Sequence, residues 1–410
     1  MKGKLFQSGA MALTLALAST VSLFSSCSSD DVVTQNSGKK ELTISVSPSN
    51  SVGTRAGITS VDIQPGTENT INHFVVGIFD GNGDIRGTVQ TMNMANNPQL
   101  TIDAGDIAKG DSVLVAVNAP ADLFNDVKTK DDFRGKTLTI EEALYGNPTH
   151  QSTGEEVHTD NNYIPMYGQG AVTKVSDNKF KADIDVYHLV SKVTLASLNV
   201  DFSDTYAGAT FQPTEIFLAN VPDQLGLSLA SSSKTYSFLT TEPASTLKYV
   251  SGETTTDVPS GKEAITASTY KYLTTGDLSN NSDFSVTEAN KSKDYDAAKL
   301  PIFYTMPNGQ VGVGKNGATF LVVKGKFSYN GATDVVYYPI FLNFNTNKQS
   351  VVPDGGVAKR VSPNYTYKVK VFITGKGSDS ATKPVDGSNA TVNVSVENFV
   401  DKTQTSQDRN

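Results

Sequence analysis

Four histidines, one cysteine and no tryptophan set the chemistry open to this 410-residue chain. The histidines are His73, His150, His158 and His188. None stands in an H-E-x-x-H pair, in which two rings on one helical face hold zinc and the glutamate serves as base. No G-x-S-x-G elbow presents a serine nucleophile. His150 and His158 share a polar stretch with Glu155, Glu156 and Asp160. Their spacing fits no zinc pattern, and a solvated loop accounts for them more simply. The stretch DGNGD, Asp80 to Asp84, begins like a calcium loop. That loop requires Gly at its sixth position and Glu at its twelfth, and Ile85 and Thr91 stand there instead. A tight turn between strands explains these residues better. Cys27, the one thiol, has no intrachain disulfide partner. The expectation is therefore no enzyme, no cofactor and no metal.

Binding chemistry is equally sparse. The net charge is −8 and no Lys/Arg run exceeds two residues, so the clustered cations that nucleic acid requires are absent. Stacking on sugar rings favours exposed aromatic faces. With no Trp, that role falls to the 16 tyrosines, most of which sit in alternating stretches that read as packing.

The elements that must position anything functional begin after the N-terminus. Met1 to Cys27 has a positive start (Lys2, Lys4), an Ala/Leu-rich apolar stretch and small residues before the cysteine. It resembles a bacterial lipoprotein signal in which Cys27 becomes the lipidated first residue, with Phe24 where leucine is usual. The SSDD that follows resembles an acidic surface-export signal of Bacteroidota lipoproteins. No later stretch is apolar and long enough to span a bilayer.

Past a polar spacer, ELTISVSPS alternates, with Leu42, Ile44 and Val46 on one face. This is the period-2 signature of a half-buried strand. A Gly/Ser/Thr link carrying Arg55 follows. NHFVVGIFDGNGDIRGTVQ reads as a hairpin whose first strand is His73–Phe79. QLTIDA and DSVLVAVNAP read as further strands, PADLFNDVKTKDDFRG and TIEEALYG as short helices, the latter with Thr139 as N-cap. The long alternating NKFKADIDVYHLVSKVTLASLNVDF predicts two strands with a hinge near His188. From there to about Lys376, short strands and turns continue, and two β-sandwich domains in tandem fit the spacing. A Ser/Asp/Pro/Gly linker then precedes ATVNVSVENFVDK, which alternates Val392, Val394 and Val396, with Phe399 breaking step.

One alternating strand thus lies just before Arg55 and another at the far C-terminus. A cut after Arg55 would leave Leu42, Ile44 and Val46 covalently free to depart. An apolar groove and two unpaired strand edges would remain, and such edges seek another strand. The C-terminal strand of a second copy has the period to fill it. That contact is head to tail and does not close, so it builds a filament.

In this order the motifs resemble the Bacteroidales type V pilins, or fimbrillins. The resemblance rests on CSSDD at the start, TRAG after an early strand, and INHFVVGIFDGNGDI, SVLVAVNAP and IPMYGQ in the first half. VYHLVSKVTL follows at mid-chain, with His188 where arginine is common. YKVKVFITGKG and VNVSVENF close the chain, with Phe399 where many relatives have Trp. The resemblance covers nearly the whole chain. It implies an all-β fold of two tandem transthyretin-like β-sandwich domains with a few short helices. It also implies a signal peptide over 1–27 ending at lipidated Cys27, a propeptide over 28–55 with the removable strand, an N-terminal sandwich over 56–187, and a C-terminal sandwich over 188–410 with the donor strand Val392, Val394, Val396 and Phe399. A trypsin-like protease would cut between Arg55 and Ala56. The partners implied are copies of the chain, other fimbrial subunits, outer-membrane lipid for the precursor, and a host or bacterial receptor. The site would be a cell-surface fimbria. Loss of residues 1–55, which carry five cations and three acids, takes the charge from −8 to −10. Alternatives are a surface glycan-binding lipoprotein and a fimbrial tip or anchor subunit.

Overall fold

The computed structural model describes residues 39–48, 58–59, 68–93, 99–145, 164–227, 248–254, 258–259, 261–262, 265, 270–285, 292–312, 317–343, 360–383, 385 and 389–399. The first half contributes β1 (Glu41–Pro48), β2 (Ile58–Thr59), β3 (His73–Phe79), β4 (Gln90–Asn93), β5 (Gln99–Asp103), β6 (Ser112–Val117), β7 (Thr137–Thr139), β8 (Met166–Ala171), β9 (Thr173–Ser176) and β10 (Lys179–His188). The second half contributes β11 (Ser191–Asp201), β12 (Thr210–Ala219), β13 (Val221–Pro222), β14 (Gln224–Gly226), β15 (Tyr249–Val250), β16 (Ser292–Asp294), β17 (Pro301–Thr305), β18 (Phe320–Tyr329), β19 (Ala332–Phe341), β20 (Tyr365–Ile373) and β21 (Ala390–Asn398). Two short α-helices, α1 (Lys130–Arg134) and α2 (Ile140–Tyr145), lie between β6 and β8. The fold is all-β.

An eight-stranded sheet runs β4-β3-β6-β8-β10-β1-β5, with β9 also on β10. It curls, so that Phe74, Val76, Val113 and Val115 from one half share a single apolar cluster with Ile44, Val46, Ala182 and Ile184 from the other. The two halves differ on their outer faces. Behind β3, β6 and β8, Val75, Phe79, Leu114, Ala116 and Tyr167 belong to a second apolar core, together with Phe133 of α1 and Leu144 of α2. Burial on both faces explains the unbroken apolar run HFVVGIF. Behind β10 and β1 the outer residues Lys179, Lys181, Asp183, Asp185, Glu41 and Ser47 are exposed, which produces the alternating sequence there.

The alternating stretch from Lys179 to Asp201 breaks at Leu189 and Val190, where the chain passes from the eight-stranded sheet to a six-stranded one. That sheet runs β2-β17-β11-β20-β21, with β16 also on β11. A three-stranded sheet, β12-β18-β19, completes the larger elements. The second core is continuous through Val193, Tyr304, Val323, Tyr338, Tyr367 and Val394. Both short helices begin with reciprocal caps. Thr129 Oγ1 accepts from the Asp132 amide at 3.1 Å while the Asp132 carboxylate accepts from the Thr129 amide at 2.8 Å. Thr139 and Glu142 repeat the device at 3.2 and 2.8 Å. Asn118 ends β6 with a left-handed φ of 55°, and its buried amide donates to the carbonyls of Thr70 and Ile164 at 2.9 and 3.0 Å.

Candidate functional site

β1 lies inside the eight-stranded sheet. It pairs in parallel with β10 from Glu41↔Lys179 to Pro48↔Val186. On its other side it pairs antiparallel with β5, from Glu41↔Asp103 to Ser45↔Gln99. Leu42, Ile44 and Val46 are 0%, 0% and 1% exposed in the core between the sheet halves. β5 ends the sheet order and has β1 as its neighbour there. Taking β1 away would open the β10 edge, strand β5 and uncover three apolar holes spaced two residues apart. β1 belongs to one sheet and β2 to the other, so residues 49–57 link them. Arg55 and Ala56 fall in this link and lie outside the described residues, as does Cys27. On the downstream side of the link, Ile58 and Thr59 pair with Pro301 and Ile302 of β17.

The C-terminal strand β21 is an outer strand. It pairs antiparallel with β20 over its whole length, from Ile373↔Ala390 to Tyr365↔Asn398. Val394 is buried, and half-buried Val392 and Val396 pack beside it on the second core, while Thr391, Asn393 and Ser395 face solvent. The spacing matches that of Leu42, Ile44 and Val46. The sequence before β21 reads as a linker, yet its described part is tied down. Ser378 and Tyr337 exchange backbone hydrogen bonds of 2.9 and 2.8 Å, and Lys376 pairs with Asp334 at 2.6 Å.

Phe399, just past β21, is seated in a buried polar-aromatic cluster. Its ring stacks on His188 with centroids 4.2 Å apart and planes at 27°, and Tyr304 lies 6.1 Å away. The Phe399 amide donates to the Asn364 carbonyl at 2.9 Å. Asn364 adopts a left-handed φ of 63°. Its side-chain oxygen accepts the His188 amide at 3.2 Å and faces His188 Nδ1 at the same distance. His188 Nε2 lies 2.9 Å from the Glu68 carbonyl. The Glu68 carboxylate in turn accepts from Lys192 Nζ at 2.7 Å and from the Tyr304 hydroxyl at 3.0 Å. Burial holds the His188 ring below its ordinary pKa of 6.5, against the pull of the Glu68 and Asn364 oxygens.

Other polar chemistry reads as structural. Asp80 Oδ1 accepts the amides of Asn82 and Asp84 at 2.8 and 3.0 Å, so DGNGD is a turn closed by its own aspartate. These amides hold the Asp80 carboxyl below its ordinary pKa. No group of three or more His, Cys, Asp or Glu side chains that could hold a metal ion occurs among the described residues. His150, His158, Glu155, Glu156 and Asp160 lie outside them. In the three-stranded sheet, Glu215 stands directly opposite Lys324, whose Nζ lies 3.5 Å from it and 3.7 Å from Glu253. The Lys324, Glu215 and Glu253 side chains are only 1%, 4% and 1% exposed. Burial pushes the Glu215 carboxyl up, and hydrogen bonds from Thr274 and Thr254 oppose it. Enclosed this deeply, the three charges brace strands rather than meet a ligand. No helix among the described residues is long and apolar enough to cross a membrane.

Glu68, Lys192, Tyr304 and Asn364 carry no signal in the linear sequence. The Glu68–Tyr304 hydrogen bond alone spans 236 positions, and each residue by itself reads as an ordinary strand or loop residue.

No family model and no curated protein matches the chain. Solved structures do. A candidate cell adhesion protein from Parabacteroides distasonis superposes with a TM-score of 0.58 at 18% identity, covering 88% of this chain and 100% of that one. A candidate cell adhesion protein from Bacteroides eggerthii gives 0.56 at 20% identity, over 88% and 98% of the two chains. A fimbrilin from Porphyromonas gingivalis gives 0.56 at 15% identity, over 90% and 99%. The chain therefore shares the fimbrillin type of fold.

Proposed function

We propose that this chain is a structural subunit of a cell-surface fimbria, polymerised by exchange of strands between copies. The precursor is exported as a lipoprotein held in the outer membrane through Cys27. A trypsin-like protease cuts between Arg55 and Ala56, and β1 leaves. The β21 strand of a second copy then fills the groove between β10 and β5, with Val392, Val394 and Val396 entering the places of Leu42, Ile44 and Val46. Val394, the middle of the three, meets the Ile44 site whichever way the incoming strand runs. Other fimbrial subunits and a receptor are the further partners.

The observation that carries this reading is the place of β1. It is an interior strand of its sheet, joined onward by the link that holds Arg55. One cut in that link would free β1 from every element that follows it, while the pairing of Ile58 and Thr59 with Pro301 and Ile302 keeps the new end attached to β17. The shared fold with a fimbrilin supports the assignment. Deleting 391–410 tests it: the processed chain should then stay monomeric, and filaments from that truncation would rule out β21 as donor.

A further inference from the structure

We propose that docking of the N-terminal strand and docking of the C-terminal strand are coupled through the Glu68–His188 cluster, so that loss of β1 loosens the hold on β21. This rests on the strand-exchange reading above and adds a control step to it. A subunit that still carries β1 would keep its own β21 in place, and only a processed subunit would release it for donation.

Two routes lead from β1 to the Phe399 seat. One runs along β10. The last pair of β1 is Pro48↔Val186, and two residues further on β10 ends in His188, on which Phe399 stacks. Loss of β1 removes the parallel neighbour that fixes this end of β10 on one side, leaving the antiparallel pairing with β8 from Val186 to His188 on the other. The second route runs through the link. The chain that follows β1 leads through Ile58 and Thr59 to Glu68, whose carbonyl meets His188 and whose carboxylate is held by Lys192 and Tyr304. Glu68 therefore braces the ring that Phe399 stacks on and the tyrosine beside it. A cut in the link severs this segment from β1 and leaves the pairing of Ile58 and Thr59 with β17 as its described upstream hold.

Apart from that seat, β21 is held from one side, by its ladder with β20 and the Lys368–Glu397 ion pair. It is an outer strand with one neighbour, and among its described side chains only Val394 is buried. Phe399 is 8% exposed. The seated arrangement seen here and a released one are the two states that such a coupled switch would use. By reciprocity, a seated β21 also favours retention of β1.

The test is hydrogen–deuterium exchange of the full chain in which residues 50–54 are replaced by the recognition site of a sequence-specific protease. This choice makes the cut independent of Arg55. Amides of Thr391 to Glu397 are followed before the cut and after the freed N-terminal piece has been removed. Exchange there should rise by roughly 5- to 150-fold, the range of ordinary site-to-site coupling, while β18 and β19 remain protected. Glu68→Gln in the uncut chain should raise the same exchange, and removal of β1 from that variant should add much less than it does in wild type. If Glu68→Gln does not fold, Tyr304→Phe replaces it, since it deletes one hydrogen bond to the same carboxylate. Unchanged β21 exchange on removal of β1, or full additivity with the cluster variant, would overturn the coupling. Filament formation is scored separately. Coupling in a chain that never polymerises would sink the fimbrial reading and leave the coupling standing; polymerisation without coupling would do the reverse.

Discussion

Replacing Ile44 by alanine should weaken β1 selectively. The side chain is fully buried between Ala182 of β10 and Leu100 of β5. Burying Leu42, Ile44 and Val46 contributes roughly 1.5–3 kcal/mol each, so the three together hold β1 with about 5–9 kcal/mol before ordering costs. Ile→Ala in a closed core costs about 2–5 kcal/mol, a large share of that sum. In a chain cut between β1 and β2, the shift multiplies the dissociation constant of the N-terminal piece by roughly 30-fold to several thousand-fold. The assay is retention of the cut piece on native size-exclusion chromatography, read by mass spectrometry, with urea unfolding of the uncut chain alongside. Ile44→Ala should lose the piece readily and lower the urea midpoint. Ser47→Ala, on the solvated face of the same strand, should change stability by no more than about 0.5 kcal/mol. Equal retention of the piece in wild type and Ile44→Ala would refute the idea that these three side chains hold β1.

Three other outcomes are expected. Val394→Asp should weaken the polymer strongly, because a carboxylate would enter an apolar hole; filaments that resist denaturant as well as wild type would show that a different strand donates. Lys324→Met should destabilise the monomer by about 3–5 kcal/mol, since it leaves Glu215 and Glu253 buried without their shared cation; an unchanged urea midpoint would contradict that. The third concerns His188, whose burial, aided by the Lys192 charge, holds its folded pKa below 6.5 against the pull of Glu68 and Asn364. The unfolded chain takes up this proton first as pH falls, so the stabilisation is present above about pH 6.5 and is lost below it. Between pH 7.5 and 5.5 the urea midpoint of wild type should fall further than that of His188→Gln, and equal falls would argue against a buried neutral ring.

The strands were legible wherever burial is one-sided. Leu42, Ile44 and Val46 alternate because the face of β1 opposite the core is solvated, and Lys179–His188 alternates for the same reason. The break between β10 and β11 was legible near His188 because the period continues on either side of it. The hairpin return was harder to place: β3 pairs with Gln90–Asn93, beyond a turn and the bridge Phe79↔Ile85. Beyond that hairpin, pairing was not legible. Nothing in ELTISVSP says that its neighbours are β10 in parallel and β5 antiparallel, because partner choice depends on residues far along the chain. The Phe399 seat was hidden for the same reason: Glu68, His188, Tyr304 and Asn364 acquire meaning only through contacts the fold creates. The anchored Ser378 shows the opposite failure, in which a stretch rich in Ser, Asp and Gly reads as a free linker but is fixed by Tyr337.

The most direct test of the central claim is the N-terminal residue of the subunit in assembled fibres, determined by mass spectrometry on shed surface material whose filaments are seen in negative stain. Ala56 is the expected first residue, with Leu42, Ile44 and Val46 absent from the polymer. Filaments whose subunits begin at Cys27 or Glu41 would contradict it, because β1 would then still occupy the groove that the incoming strand must fill.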